Sequence, residues 1–135
     1  MRHIDPNHPY PNLGQLFVFE QGDDYKAHQS RSLAEISNVS FYDLTDVLGP
    51  PTISHSSTPN GKVNREWRIK YVPKDCEGTT DHYLFAIYDW KAESAWEAEN
   101  KLREWTIGGE SGSGQIADEL SQLVSQLVIE LRSTR

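Results

Sequence analysis

A one-sided apolar stripe near the end of the chain constrains the fold more than any other feature. From Gln115 to Leu131, apolar residues recur at the spacing of one helical face. The stripe consists of Ile116, Leu120, Leu123, Val124, Leu127, Val128 and Leu131. Because an amphipathic helix must bury its apolar face against another element, this pattern predicts a long C-terminal helix that covers a sheet or other helices.

Three upstream segments have the lengths and patterns of strands that such a helix could cover. Val63–Val72 alternates between apolar and polar residues, as a strand with one buried face requires. Tyr83–Tyr88 is an aromatic-rich apolar run too short for most helices, and Leu102–Ile107 is the third segment. These segments predict an antiparallel sheet, with Trp67 and Trp105 packed in its core.

The first part of the chain has weaker signals. Prolines in residues 1–14 remove backbone donors, so we predict an extended N-terminal arm without helix or sheet pairing. Leu16–Phe19 is predicted as a brief strand, and Tyr25–Val39 as a short helix or a loop. Ser40–Leu48 begins with a capping serine and is followed by Gly-Pro-Pro, which predicts a short amphipathic helix.

Together these elements predict an α+β fold. An antiparallel sheet of three or four strands is expected to pack against the long C-terminal helix and the short helix near residues 40–48. A length of 135 residues suits one domain. We therefore expect residues 15–135 to form a single α+β domain that follows the arm at 1–14.

Composition narrows the classes of function. Thirteen Lys and Arg against twenty Asp and Glu leave a formal charge of -7, which argues against a nucleic-acid partner. The single cysteine, Cys76, makes a disulfide or a cysteine-built zinc site unexpected and favours a reducing, cytoplasmic location. The histidines have no metal-ligand spacing, and no apolar segment reaches the length of a membrane span. We therefore expect no metal, no cofactor and no membrane.

Two strand-end motifs carry a resemblance to a known group of proteins. Ile87–Lys91 reads I-Y-D-W-K, and Trp105–Gly109 reads W-T-I-G-G. In this order, after a short helix and before a C-terminal one, they resemble small uncharacterised proteins of bacteriophages and other mobile elements. The resemblance covers Phe41–Leu127 and implies a protein that binds and blocks a host component, such as part of a defence system, in the host cytosol. Thr106 stands where such relatives often have His.

The leading hypothesis is accordingly a non-enzymatic binding or inhibitory protein whose partner is a host protein. The segment after Tyr83–Tyr88 combines aromatic and charged side chains in a stretch expected to be exposed, a composition typical of protein interfaces. The candidate partner-contact residues are Asp89, Trp90, Lys91, Glu93 and Trp96. Ile129, which lies off the main apolar stripe, also allows a homodimer through the C-terminal helix.

Two alternatives belong to other classes. The glycine-rich stretch Gly108–Gly114 opens onto a helix, where backbone N–H groups and the helix dipole favour a nucleotide or other anion. Such a site would use Gly108, Gly109, Ser111, Gly112, Ser113 and Tyr88. A flexible hinge with a serine cap explains the same stretch, since no Walker motif is present. The second alternative is an enzyme with Asp89 as general base, although Asp89 could equally end its strand.

Overall fold

The described strands form one antiparallel sheet with two helices on one face. The computed structural model describes residues 1–23, 31–53, 63–76, 81–90 and 102–134. The elements in these ranges are β1 Arg2–Ile4, β2 Gln15–Val18, β3 Arg31–Val39, α1 Phe41–Leu48, β4 Val63–Val72, β5 Tyr83–Trp90, β6 Arg103–Gly109 and α2 Gly114–Ser133. A short 3₁₀ turn, Lys74–Cys76, follows β4.

The order of strands across the sheet is β1-β2-β4-β5-β6-β3, and every neighbouring pair is antiparallel. This confirms the α+β class, the antiparallel sheet and the long C-terminal helix. The predicted count of three or four strands is too low, because the sheet has six among the described residues. The two strands that the prediction lacked are β1 and β3, which are the two edges of the sheet.

The edge strand β3 replaces the predicted short helix or loop. It pairs with β6, with Ile36 opposite Trp105, and its register shifts between Ser32 and Ala34 and again between Ile36 and Val39. These irregularities break the alternation of apolar and polar residues, so the segment has no strand period to detect. Its pairing with β6, rather than its own sequence, makes it a strand.

The other edge strand, β1, lies in the arm that was expected to make no sheet pairing. Arg2–Ile4 pairs with β2, with Ile4 opposite Leu16. The prolines at positions 6, 9 and 11 come after this strand, in the connection to β2. The prolines therefore remove no donors from the β1–β2 ladder. The expectation of an arm without sheet pairing is wrong for Arg2–Ile4.

The short helix α1 confirms the prediction made from Ser40. The Ser40 hydroxyl accepts a hydrogen bond from the Asp43 N–H at 3.1 Å, and the Asp43 carboxylate accepts one from the Ser40 N–H at 3.0 Å. This reciprocal pair is a capping box, which satisfies free donors at the start of the helix. Gly49 follows the helix with a φ of 79°, a conformation that favours glycine.

Two buried tryptophans hold both ends of α1 to the sheet. Trp67 and Trp105 are each 0% exposed, which confirms their prediction as core residues, and their ring centroids lie 5.6 Å apart. The Trp67 indole N–H donates to the Gly49 carbonyl after α1, at 3.0 Å. The Trp105 indole N–H donates to the Val39 carbonyl before α1, also at 3.0 Å. These bonds satisfy the only polar atom of each ring and fix the position of α1.

The long helix α2 covers β3 and β6 and packs against α1. The members of its apolar stripe that are buried are Leu120, Leu123, Val124, Leu127 and Val128. Two polar side chains of α2 also bind β3: the Ser121 hydroxyl donates to the Glu35 carbonyl and Arg132 donates to the Asn38 carbonyl, each at 2.7 Å. These contacts hold the edge strand β3 to α2. Neither α1 nor α2 is long and apolar enough to cross a membrane.

Candidate functional site

The predicted partner-contact residues begin at the end of β5, where Asp89 is buried. By alternation with Ile87, Asp89 faces the helices, and its side chain is 0% exposed. One carboxylate oxygen accepts a hydrogen bond from the Arg65 N–H at 2.8 Å. Asp89 is therefore not part of an exposed segment, contrary to expectation. This contact ties the end of β5 to the start of β4. Asp89 does not end its strand, because β5 continues to Trp90.

The side chains of the other predicted partner-contact residues lie outside the described part of the chain. Trp90 is the last residue of β5, and its side chain is not among those described. Lys91, Glu93 and Trp96 fall outside the described residues. The structure thus places one side chain of the predicted partner-contact set, and that side chain is internal.

The glycine-rich stretch is shorter than predicted, because its first two glycines belong to β6. Gly108 and Gly109 are buried and pair with β5 and β3. A Cβ on Gly109 would lie 2.7 Å from the Phe85 ring, so this position needs glycine for close packing. Gly108 and Gly109 therefore belong to the sheet and not to the loop in which they were expected.

The remaining residues of the expected anion site do not converge. The Ser113 hydroxyl donates to the Glu110 carbonyl at 2.6 Å and makes no cap bond to α2, while Ser111 accepts from Arg31 at 3.3 Å. Gly112 forms the turn with a φ of 95°. Tyr88 alternates with Ile87 and so faces away from α2. Tyr88 and the start of α2 therefore lie on different sides of the sheet.

A groove that the sequence did not predict lies where β1 meets the two helices. Its volume is about 350 Å³. The aliphatic side chains that line it are buried or half-buried, whereas its carboxylates are exposed, so it has an apolar floor and an acidic rim. The floor consists of Ile4, Val47, Leu127 and Leu131, and the rim of Asp5, Asp46 and Glu130. His3 and Thr134 complete the lining. We call this surface the β1–α1–α2 groove.

Arg2 fixes the wall of the groove that β1 provides. Its guanidinium donates to the Leu48 carbonyl at 3.0 Å and to the Pro50 carbonyl at 2.7 Å. The Leu48 carbonyl is at the C-terminal end of α1, where the helix carries a partial negative charge that a cation stabilises, and Pro50 lies two residues beyond the helix. The contact holds β1 against α1, so two walls of the groove have a fixed separation.

Tyr10 joins the connection between β1 and β2 to α2 beside the groove. Its hydroxyl donates to the Glu130 carboxylate at 2.9 Å and approaches the Gln126 carbonyl at 3.4 Å. Burial and the hydrogen bond to Glu130 raise the pKa of the Tyr10 phenol. The phenol donates and the Glu130 carboxylate accepts, so this contact ties the β1–β2 connection to the rim of the groove.

The groove therefore combines apolar surface with negative charge. Among the described residues that line it, three are carboxylates and none is Lys or Arg. The carboxylates are not gathered into a ligand set, since no group of three or more His, Cys, Asp and Glu side chains in the described ranges could hold a metal ion. Such a surface suits a ligand with aliphatic and cationic parts.

Each wall of the groove has a simple sequence signature. An aliphatic residue stands next to an acidic one at Ile4–Asp5, at Asp46–Val47 and at Glu130–Leu131. Such pairs are common in any acidic protein, and only the sheet pairing and helix packing bring these three together.

No protein family, curated protein or solved structure matches the chain, so the resemblance to phage proteins stays a prediction.

Proposed function

We propose that this chain is a non-enzymatic binding protein that blocks a host protein by holding one of its segments in the β1–α1–α2 groove. The observation that carries the proposal is the concave surface itself, in which an apolar floor and an exposed acidic rim meet between three elements. Buried apolar anchors surrounded by polar groups are the usual arrangement at protein interfaces.

The size and fixed walls of the groove support binding of a short segment. A volume of about 350 Å³ accepts a few side chains and not a whole domain. Arg2 holds β1 to α1, and Arg132 pairs with Asp43 to hold α1 to α2. A site whose walls are held before binding loses little conformational entropy when a partner docks. Inhibition by occupancy needs no chemical step, which agrees with the role that the phage resemblance implies.

A variant that fills the groove tests the proposal. Thr134 is exposed, follows α2 as its C-cap and lines the groove, so Thr134→Trp places a bulky ring in it. Ser133→Trp is the matched control, because Ser133 is the exposed neighbour on the same helix end and does not line the groove. Tagged forms of all three proteins are used to capture partners from a lysate of native host cells at physiological salt, with quantitative mass spectrometry.

We expect one host protein to be retained by the parent chain and by Ser133→Trp, and to be lost with Thr134→Trp. Circular dichroism checks that all three proteins are folded. Retention of the same proteins by Thr134→Trp, or retention of none by the parent chain, would contradict the proposal.

A further inference from the structure

We infer that His8 is a pH-sensitive switch in the connection between β1 and β2: its neutral ring binds the Tyr10 N–H, and its protonated ring releases it. The inference concerns the hold on this connection and does not depend on the proposed function. Its evidence is an imidazole whose two nitrogens have opposite roles, because one must donate a hydrogen bond and the other must accept one.

Each ring nitrogen of the half-buried His8 faces a backbone group. Nε2 lies 2.7 Å from the Gly14 carbonyl oxygen, which can only accept, so Nε2 carries a proton. Nδ1 accepts a hydrogen bond from the Tyr10 N–H at 3.3 Å, so Nδ1 carries none. The ring that makes both bonds is therefore the neutral imidazole with its proton on Nε2.

A second proton on the ring changes the role of Nδ1 only. The charge strengthens the bond from Nε2 to the Gly14 carbonyl. At Nδ1, two N–H groups would face each other, so the Tyr10 N–H loses its acceptor. The ring therefore stays at Gly14 while the chain at Tyr10 is released. Histidine is the side chain that ordinarily gains a proton as pH falls between about 8 and 5, so the release belongs to that range.

The peptide unit at Tyr10 connects this turn to the core and to α2. The Tyr10 carbonyl accepts a hydrogen bond from the N–H of the buried Leu13 at 3.2 Å. The Tyr10 hydroxyl donates to Glu130 at 2.9 Å, and its ring stacks on His8 with centroids 5.5 Å apart. Release of the Tyr10 N–H thus weakens the hold on the connection beside the β1–α1–α2 groove.

The charged and titratable groups of the elements around His8 leave both ring nitrogens to the backbone. Asp5 accepts the His8 backbone N–H at 3.2 Å through its own carbonyl. Lys74 of the 3₁₀ turn lines the same pocket as His8. Tyr71 of β4 and Glu130 of α2 contact the connection through a hydroxyl and a carboxylate. Within the described ranges, none of these four side chains hydrogen-bonds to the imidazole.

The experiment is NMR spectroscopy of the full chain at about pH 7.5 and about pH 5.5, on either side of the usual histidine titration. Ring nitrogen shifts report which nitrogen of His8 carries a proton. The exchange rate of the Tyr10 amide, corrected for its intrinsic dependence on pH, reports the hydrogen bond. His8→Asn keeps an acceptor without titrating, because an asparagine side-chain oxygen binds the N–H two residues further on. His3→Asn is the matched control, since His3 is an exposed histidine that contacts Gln15 and not Tyr10.

We expect the His8 proton on Nε2 at the higher pH, and a loss of about fivefold in Tyr10 amide protection at the lower pH, the size of one ordinary hydrogen bond. The loss should persist in His3→Asn and be absent from His8→Asn. Constant protection while the His8 ring gains its second proton would overturn the inference. An equal loss in His8→Asn would also overturn it, because the release would then not come from His8.

Discussion

Glu35 and Glu104 form a like-charged pair on the face of the sheet opposite to α1 and α2. Glu35 stands opposite Thr106 in the β3–β6 ladder, so Glu104 is its diagonal neighbour. A hydrogen bond to Glu104 and repulsion from its charge raise the pKa of Glu35. A carboxyl with a raised pKa in the folded state contributes stability that is complete below its unfolded pKa and lost as pH rises through its folded pKa.

Replacing one partner of this pair should therefore stabilise the protein at neutral pH. We expect Glu104→Gln to raise the free energy of unfolding by about 0.5 kcal/mol at neutral pH, because it removes a like-charge contact between strands. The gain should vanish in acid, where the Glu35 carboxyl is protonated in both states. Urea denaturation at the two pH values measures this, and Glu110→Gln serves as an exposed control. A gain of the same size in acid would contradict the explanation.

The backbone around Gly14 leaves no room for a side chain. A Cβ there would lie 1.9 Å from the Val72 carbonyl oxygen, and the Gly14 N–H donates to the buried Tyr71 hydroxyl at 2.8 Å. We expect Gly14→Ala to lower the free energy of unfolding by about 3 kcal/mol, since backbone must move to make room.

The matched control for Gly14 is Gly114, the first residue of α2. A Cβ on Gly114 would meet nothing within 4 Å, and alanine restricts the unfolded chain. Gly114→Ala should therefore stabilise the protein by about 0.5 kcal/mol. Chemical denaturation of both variants gives the comparison. Similar small effects at the two positions would show that the chain near Gly14 relaxes easily.

At the scale of elements, Asp43 connects the start of α1 with the end of α2. It is 3% exposed, completes the capping box with Ser40 and binds Arg132, which also donates to the Asn38 carbonyl of β3. Removing it eliminates a helix cap and leaves Arg132 without its carboxylate. We expect Asp43→Ala to lower the free energy of unfolding by about 2 kcal/mol.

A double-mutant cycle separates the two parts of this effect. Arg132→Gln removes the ion pair and leaves the capping box, so the coupling between Asp43 and Arg132 measures the link from α1 to α2. Asp118→Ala, an exposed carboxylate on α2, is the control and should change stability by less than about 0.5 kcal/mol. Strict additivity of the Asp43 and Arg132 variants would mean that the ion pair adds nothing to the cap.

An element could be predicted from the sequence when the residues that stabilise it lie within its own segment. The helices α1 and α2 and the strand β4 have their caps, periods and stops in their own residues, and all three were predicted. β3 was not, because it buries only Ile36 and Val39 and is irregular at two places. The glycine-rich loop was predicted to begin at Gly108 but begins after Gly109, because glycine in a strand and glycine in a loop look alike in a sequence.

For the whole molecule, the sheet order implies slow folding. β3 pairs with β6 although α1, β4 and β5 lie between them in the chain, so this pairing closes a long loop before it gains any contact. We expect refolding in milliseconds to seconds, the range of folds dominated by distant contacts. Stopped-flow tryptophan fluorescence measures it, because Trp67 and Trp105 become buried on folding. Complete refolding in microseconds would contradict the expectation.

The sequence by itself determined the class of the fold, the long helix α2, the capped helix α1 and the tryptophan core. These follow from spacing and burial preference, which are properties of neighbouring residues. Only the tertiary structure decided the two edge strands, the burial of Asp89 and the β1–α1–α2 groove. The physical reason is that each depends on residues from distant parts of the chain. β3 is a strand because it pairs with β6, and Asp89 is buried where it accepts a hydrogen bond from Arg65 of β4. The groove forms only when three separate apolar–acidic residue pairs are brought together by β1, α1 and α2.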